Sequence, residues 1–488
     1  MRLLFNKSSL ILMFGLFLEV FSKLEFEYHS NKEMENILRR FEVSGKQKLK
    51  TKLYSIGYSS STDEPFPLWV LELTAAPENV TGIPNVKLLG NMHGNEAGGR
   101  ELLLHFIEHL IDSYGKVKLV SWLLNNTRIH IIPSINPDGF SNAGNSCNGM
   151  KGREVPTKKI DLNRNFPDFF HPNPDLVQAK ESKAVMKWME ETKFILSAAL
   201  HEGAMVANYP YDSINPNGDN DDDSEYLTPD DDVFKHLART YANSHPVMST
   251  NKGCPSDVKE FKGGITNGAD WYSFDGGMGD YNYNYHGCME LTLELSCCKF
   301  PPNLTNLWNE NKKPLLLYCL QAHRGVTGVI LDSETKKPIK TKLKISDREA
   351  YFGNDRKSGE FWRILLPGQY VLEVEAPGYY AHFENFTVED FKKFPKLTNL
   401  TIFLTNSSLP TTTTTTSSTT VIHTTNTTTS VSALIFPNIT SRFTDNDDDK
   451  DYEYGFPSIS ELTSGFLKNS CANLALLLSV ISFLVVIS

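Results

Sequence analysis

From Leu24 to about residue 324 the chain alternates short apolar runs with longer amphipathic ones, and few architectures accept that pattern. Residues 86–91, 128–135 and 194–200 read as buried strands, while 97–113 and 178–190 place their apolar residues at helical spacing. The alternation predicts an α/β domain over 23–324, a mixed central sheet with helices on both faces. Sites in open sheets of this class gather at the carboxyl ends of strands. His93 follows the first of these strands and His201 closes the third.

The pattern changes at residue 325. VTGVILD, KTKLKIS, GEFWRILLPGQYVLEVEAPGYY and NLTIFLT are β-rich runs separated by turn signals, and they predict a small all-β sandwich over 325–405. Residues 406–470 form a threonine-rich tract with little to bury, read as an extended glycosylated stalk, with an undecorated linker as the alternative. Residues 471–488 carry no charge and no Lys or Arg follows them. That favours a cleaved signal for a glycosylphosphatidylinositol anchor over a spanning helix.

At the other end, Arg2 and Lys7 precede an apolar run, with Val20 and Ser22 small enough to precede a cut, so 1–22 reads as a secretory signal peptide. Six of the seven cysteines lie between Cys147 and Cys319, and in an oxidising compartment six can pair completely. Eight N-x-S/T sequons follow the signal, at Asn79, Asn125, Asn303, Asn385, Asn399, Asn406, Asn426 and Asn438. These features place the protein on the extracellular face of the plasma membrane, held by a lipid anchor; a secreted or single-pass form is the alternative. A net charge of −10 argues against nucleic acid as a partner.

HGNE, at 93–96, lies at a strand-to-helix corner that can aim an imidazole and a carboxylate at one point. A catalytic zinc takes three protein ligands and leaves a position for water. His93, Glu96 and His201 are the candidate set. Hydrolysis of a peptide bond further needs a base, a cation for the oxyanion and groups that hold the substrate. In ELTLEL, Glu290 and Glu294 share a strand face, and Glu294 is a candidate base. Arg164 in DLNRNFPD offers a planar fork for a terminal carboxylate, and Arg153 in MKGREV is a second cation. The competing zinc pattern HFIEH reads as the polar flank, His105 and His109, of an amphipathic helix.

Taken together, GNMHGNE, PSINPDGF, DLNRNFPD, ANYPYD, GITNGADWY, GGMGDYNY and ELTLELSCCKFPP, in this order, resemble the regulatory (carboxypeptidase N/E) branch of the zinc metallocarboxypeptidases. The resemblance covers about 24–404. It implies a carboxypeptidase-like catalytic domain followed by a transthyretin-like sandwich, with one Zn2+ held by His93, Glu96 and His201. It implies Glu294 as base and proton donor, Arg153 at the oxyanion, Asn163 and Arg164 on the substrate's carboxylate, and Tyr272 closing over the bound residue. Asp212 would lie in the pocket for the last side chain and favour Lys or Arg. The implied activity is removal of C-terminal residues, basic ones above all, from extracellular peptides and proteins. The alternative is a catalytically silent surface module that binds peptide C-termini. Two positions depart from the branch: Glu202 stands where glycine is usual after the second histidine, and Gly279 where GGMQD has glutamine.

Overall fold

The computed structural model describes residues 23–78, 80–214, 225–255, 257, 259–390 and 394–408. Expectations for residues 1–22, Asn79, most of the acidic run at 219–225 and everything beyond 408 lie outside them. Apart from Phe394, the described residues belong to one compact unit.

Its centre is a sheet of strands β1 (Lys50–Tyr58), β2 (Pro67–Thr74), β3 (Asn85–Gly90), β4 (Arg128–Ile132), β5 (Phe194–His201), β6 (Met205–Tyr209), β7 (Ile265–Asn267) and β8 (Met289–Leu295). They are ordered β1-β2-β4-β3-β5-β8-β6-β7, with β4, β3, β5 and β8 mutually parallel. Every residue of β5 is buried, which requires cover on both faces.

That cover comes from helices α1 (Asn31–Gly45), α2 (Gly98–Ser113), α3 (Lys118–Asn126), α4 (Pro137–Asn142), α5 (Lys180–Glu191), α6 (Asp231–Ser244), α7 (Gly268–Trp271), α8 (Met278–His286) and α9 (Leu304–Leu320). Helix α9 packs on α2 and α6, while α5 packs on α8. Leu89 and Ala199 of the sheet share a core with Val185 and Trp188 of α5 and Met278 and Tyr281 of α8. Helix α1 starts on a capping box in which Ser30 and Glu33 satisfy each other's backbone N–H groups.

Beyond α9 come β9 (Val326–Asp332), β10 (Lys342–Ile345), β11 (Tyr351–Gly353), β12 (Glu360–Arg363), β13 (Gly368–Glu375), β14 (His382–Val388) and β15 (Thr398–Leu404). They form one sheet in the order β11-β10-β13-β14 and another in the order β12-β9-β15. Alternate apolar residues of both sheets, Val326, Leu343, Phe361 and Val374 among them, fill one shared core. This β unit meets the α/β domain through ions. Arg348 and Arg363 converge on Asp230, which is fully buried and also accepts the Tyr283 hydroxyl at 2.6 Å.

Two sequence expectations are corrected. The six cysteines do not pair completely: Cys147 bonds Cys298 and Cys254 bonds Cys297, while Cys288 and Cys319 are buried thiols. Cys288 belongs to the core under α5 and α8, and Cys319 sits on α9 in the α2–α6 layer. Nor are His105 and His109 a polar flank. His105 is buried and stacks on Phe26 at 4.0 Å, and both rings pack against Trp308 of α9. Burial pushes both imidazoles down to about 4, so they pack as neutral rings.

Candidate active site

The corner after β3 is built by two residues. Asn91, in the left-handed region at φ 56°, donates its amide to the carbonyls of His93, Gly94 and Glu96 at 3.1, 3.1 and 2.9 Å. Gly94 packs so closely on α4 that a Cβ would lie 2.2 Å from the Gly139 carbonyl carbon. The corner therefore holds His93 and Glu96 on a fixed loop at the carboxyl end of β3.

His201, the last residue of β5, meets that corner. His93 Nδ1 lies 3.0 Å from Glu96 Oε1, and His201 Nδ1 lies 2.8 Å from Glu96 Oε2. The two rings stand edge to face with centroids 4.8 Å apart. All three side chains are buried. Burial works against the Glu96 charge, yet the two imidazoles hold its carboxyl well below the usual range.

These residues fit a zinc ion. Two imidazole nitrogens and one carboxylate, each offering an atom within 4.8 Å of the others, are the donor set and spacing such an ion takes. His93 also turns Nε2 to Asp161 Oδ1 at 3.0 Å, the carboxylate support that metal-bound histidines commonly have.

The corner opens into a cleft of about 200 Å³ whose wall includes Arg153, Asn163, Asn208, Tyr272, Thr292 and Glu294. In the parallel ladder of β5 and β8, His201 pairs with Glu294, so both side chains leave the same sheet face. Burial, then the Glu96 charge, pushes the Glu294 carboxyl up to about 7. Arg153 binds Asp161 Oδ2 at 3.0 Å and lies 3.7 Å from Glu96. Asn163 Oδ1 accepts the Met278 N–H at 3.1 Å. Tyr272 is half exposed and stacks on Phe274.

Two predicted residues stand behind the wall. Arg164 lies over the Phe274 ring at 3.4 Å and borders an adjoining pocket with Asp168 and Asp275. Asp212 is buried behind Asn208, which donates to its Oδ1 at 2.9 Å.

Sequence reasoning missed Lys299 and Asp161. Lys299 follows Cys297 and Cys298, just beyond β8, reaches Glu96 Oε1 and donates to the Glu202 carbonyl at 3.0 Å. A cation directly after two cystine residues was its signal; for Asp161 the signal was the acid that opens DLNRN. Glu202 borders the cleft without being one of the clustered donors. Its carboxylate turns to the first turn of α2 and accepts the Gly99 N–H. A second group, Asp168, His171 and Asp275, also clusters. Asp168 there already accepts the N–H groups of Phe170, His171 and Gly276, which makes it a loop-tying residue.

The zinc carboxypeptidase family model matches residues 19–313. The chain belongs to the zinc carboxypeptidase family. It is a metallocarboxypeptidase, and the cofactor the family implies is zinc. Mouse (Mus musculus) carboxypeptidase M is 42% identical over 383 residues, covering 77% of this chain and 84% of the relative. Rat (Rattus norvegicus) carboxypeptidase Z is 38% identical over 397 residues, covering 75% and 59%. Human carboxypeptidase D is 40% identical over 377 residues, covering 75% of this chain but 26% of that longer protein.

Proposed function

We propose that this metallocarboxypeptidase releases C-terminal lysine or arginine from extracellular peptides and proteins. The observation that carries the reading is a buried carboxylate, Asp212, set behind the cleft wall; Arg164 acts on it only at a distance, and no lysine or arginine salt bridge holds it among the described residues. A cationic side chain entering past Asn208 supplies the missing charge.

His93, Glu96 and His201 would hold the zinc, which when bound supplies Lewis acidity that lowers the pKa of water and polarises a carbonyl. Glu294, fixed beside His201, takes a proton from the attacking water and returns it to the leaving amine. Arg153 faces the developing oxyanion from the wall of the cleft. Asn163 and Arg164 hold the terminal carboxylate, with Arg164 swinging in from its place over Phe274. Tyr272, half exposed at the mouth, closes over the bound residue.

We also place the protein outside the cell. Two cystines and the exposed sequons Asn125, Asn303, Asn385 and Asn399 support that reading. No helix among the described residues is long and apolar enough to cross a membrane. A lipid anchor attached near 471 fits the apolar tail. The paired sheets of β9 to β15 are a transthyretin-like domain in this reading.

The test incubates the purified protein with peptides ending in Arg, Lys or Leu, with and without a chelator. Chelator-sensitive release of Arg and Lys is expected. Preferential release of Leu overturns the role of Asp212; peptide binding with no release points to the silent alternative.

A further inference from the structure

The sequon asparagines engage the fold differently. Asn125 Oδ1 accepts the Tyr114 hydroxyl at 3.0 Å, Asn303 Oδ1 caps α9 through the Asn306 N–H at 2.9 Å, and Asn406 Oδ1 accepts the Ser408 N–H at 2.9 Å. The side chains of Asn385 and Asn399 make no hydrogen bond among the described residues. Of these two, Asn385 borders a cavity.

Asn385 and Thr387, the first and third residues of one sequon, stand two apart on β14, so both side chains leave the same sheet face. Both are exposed. Their ladder partners on β13 are Val371 and Gln369, while Phe386 between them turns into the core. On the far side of β13 the chain leaves β10 through Ser346 and Asp347, and the Ser346 N–H donates to the Val371 carbonyl at 3.0 Å. These side chains line an open groove of about 450 Å³. Tyr370 and Phe386, stacked at 5.7 Å, complete its wall. Small-ligand sites run from about 300 to 1,000 Å³.

The lining has two characters. The hydroxyls of Ser346 and Thr387, the Gln369 amide and the Asp347 carboxylate offer donors and acceptors, beside the apolar surface of Val371 and the two rings. A sugar carries the same mixture, with hydroxyls around its rim and C–H groups on its ring faces. The lining alone does not choose among polar ligands. What chooses is that the attachment point of an N-linked glycan stands in the wall itself. Sugars joined there meet the groove at a high local concentration, so weak contacts suffice to hold them.

We propose that Asn385 carries an N-linked glycan whose first sugars lie in this groove, packed against β13 and β14. The proposal rests on the extracellular reading. Attachment forms a bond from Asn385 Nδ2 to the anomeric carbon of a lipid-linked oligosaccharide; the carbon–oxygen bond to the lipid diphosphate breaks, and the amide gives up one proton. Strand β14 gives the seat a purpose. It is the last strand of its sheet, and such strands invite pairing with other chains unless something covers them. A bulky polar sugar lying against β14 is such a cover.

The experiment uses the full chain made in a eukaryotic host that attaches N-linked sugar. Peptide N-glycanase is added to the native protein, and site-resolved mass spectrometry follows the asparagine-to-aspartate change that marks each release. The exposed Asn125 and Asn303 serve as references. Expected is a glycan at Asn385 whose release is slower than at the references by on the order of tenfold, the protection that one or two net hydrogen bonds give. After denaturation the rates become equal. Ser346→Trp fills the groove and keeps the sequon; it should bring release at Asn385 up to the reference rate, with a thermal melt reporting that the variant folds. A bare Asn385 beside glycosylated references, or native release at Asn385 as fast as theirs, overturns the seat while leaving the extracellular reading intact. Slow release that persists in folded Ser346→Trp also overturns it. Sugar at none of the sequons overturns the extracellular reading and the seat with it.

Discussion

His201 and Glu294 are ladder partners at the carboxyl ends of the parallel strands β5 and β8. One sheet therefore fixes the proposed metal ligand and the neighbouring carboxylate with respect to each other, without relying on a loop. If Glu294 moves the proton and does not hold the metal, Glu294→Gln lowers kcat by roughly 10²–10⁴-fold and leaves bound zinc per chain unchanged. Atomic emission on the purified variant, alongside turnover, separates the two roles.

Asp161 supports the corner from outside. One of its oxygens meets His93 Nε2 and the other meets Arg153, so it orients a ligand and a cation together. Asp161→Asn is expected to weaken zinc binding by about 10–100-fold, measured by competition with a chelator. Unchanged affinity would show that Asn91 alone suffices to hold the histidine.

The Asp212 carboxyl is lifted by burial to about 6 despite its hydrogen bond from Asn208. Arg164 and His201 favour its charge, whereas Glu290 and Asp280 oppose it. The charged form, which in the proposed reading binds a cationic side chain, dominates above that value and is lost as pH falls through it. KM for peptides ending in Arg or Lys should therefore climb below pH ~6, by up to about tenfold per unit, while KM for peptides ending in Leu does not follow it. Parallel profiles for the two substrate classes would remove Asp212 from the pocket.

Much of this could be read from the chain because local rules and the tertiary fold agree. The apolar runs at 86–91 and 194–200 lie within or against β3 and β5, and the amphipathic runs became α2 and α5 within a few residues. HGNE was legible because a strand ending next to a helix leaves its corner residues few places to point. The misses share a cause: each concerns which distant surfaces meet. Cys288 and Cys319 looked available for pairing, yet they fall in different helical layers. His105 and His109 looked like a solvated flank because nothing in their own helix reveals that α9 brings Trp308 over them. Likewise Lys299 is an ordinary loop cation until the cystines of Cys297 and Cys298, just beyond β8, bring it to Glu96.

Glu202 acts on α2, whose N-cap residue Ala97 makes no side-chain cap. Its carboxylate supplies an acceptor for the Gly99 N–H from another part of the chain. Burial and then the Glu96 charge push the Glu202 carboxyl well up, toward its neutral form; Glu202→Gln keeps a neutral acceptor there, so its melting temperature should not fall. Glu202→Gly removes the cap and should cost about 1 kcal/mol, measured by chemical denaturation of the zinc-loaded protein. Equal stability of all three forms would mean that water replaces the carboxylate.

Asp230 carries the junction between the catalytic domain and the β unit. It is fully buried and bound by Arg348, Arg363 and Tyr283; Arg348 retains Asp232 as a second partner, whereas Arg363 is left with the Gly287 carbonyl. Truncation therefore strands a buried guanidinium, and Asp230→Ala should lower stability by about 3–5 kcal/mol. Tyr283 belongs to α8, which also carries Gly279 and Asp280, and Asp280 accepts the backbone N–H groups of Asp212 and Ser213. The same variant should then raise KM for basic substrates more than it lowers kcat. Denaturant titration gives the first quantity and steady-state kinetics at a temperature well below unfolding the second. A loss under 1 kcal/mol with unaltered KM would mean that the β unit can detach without disturbing the floor of the cleft.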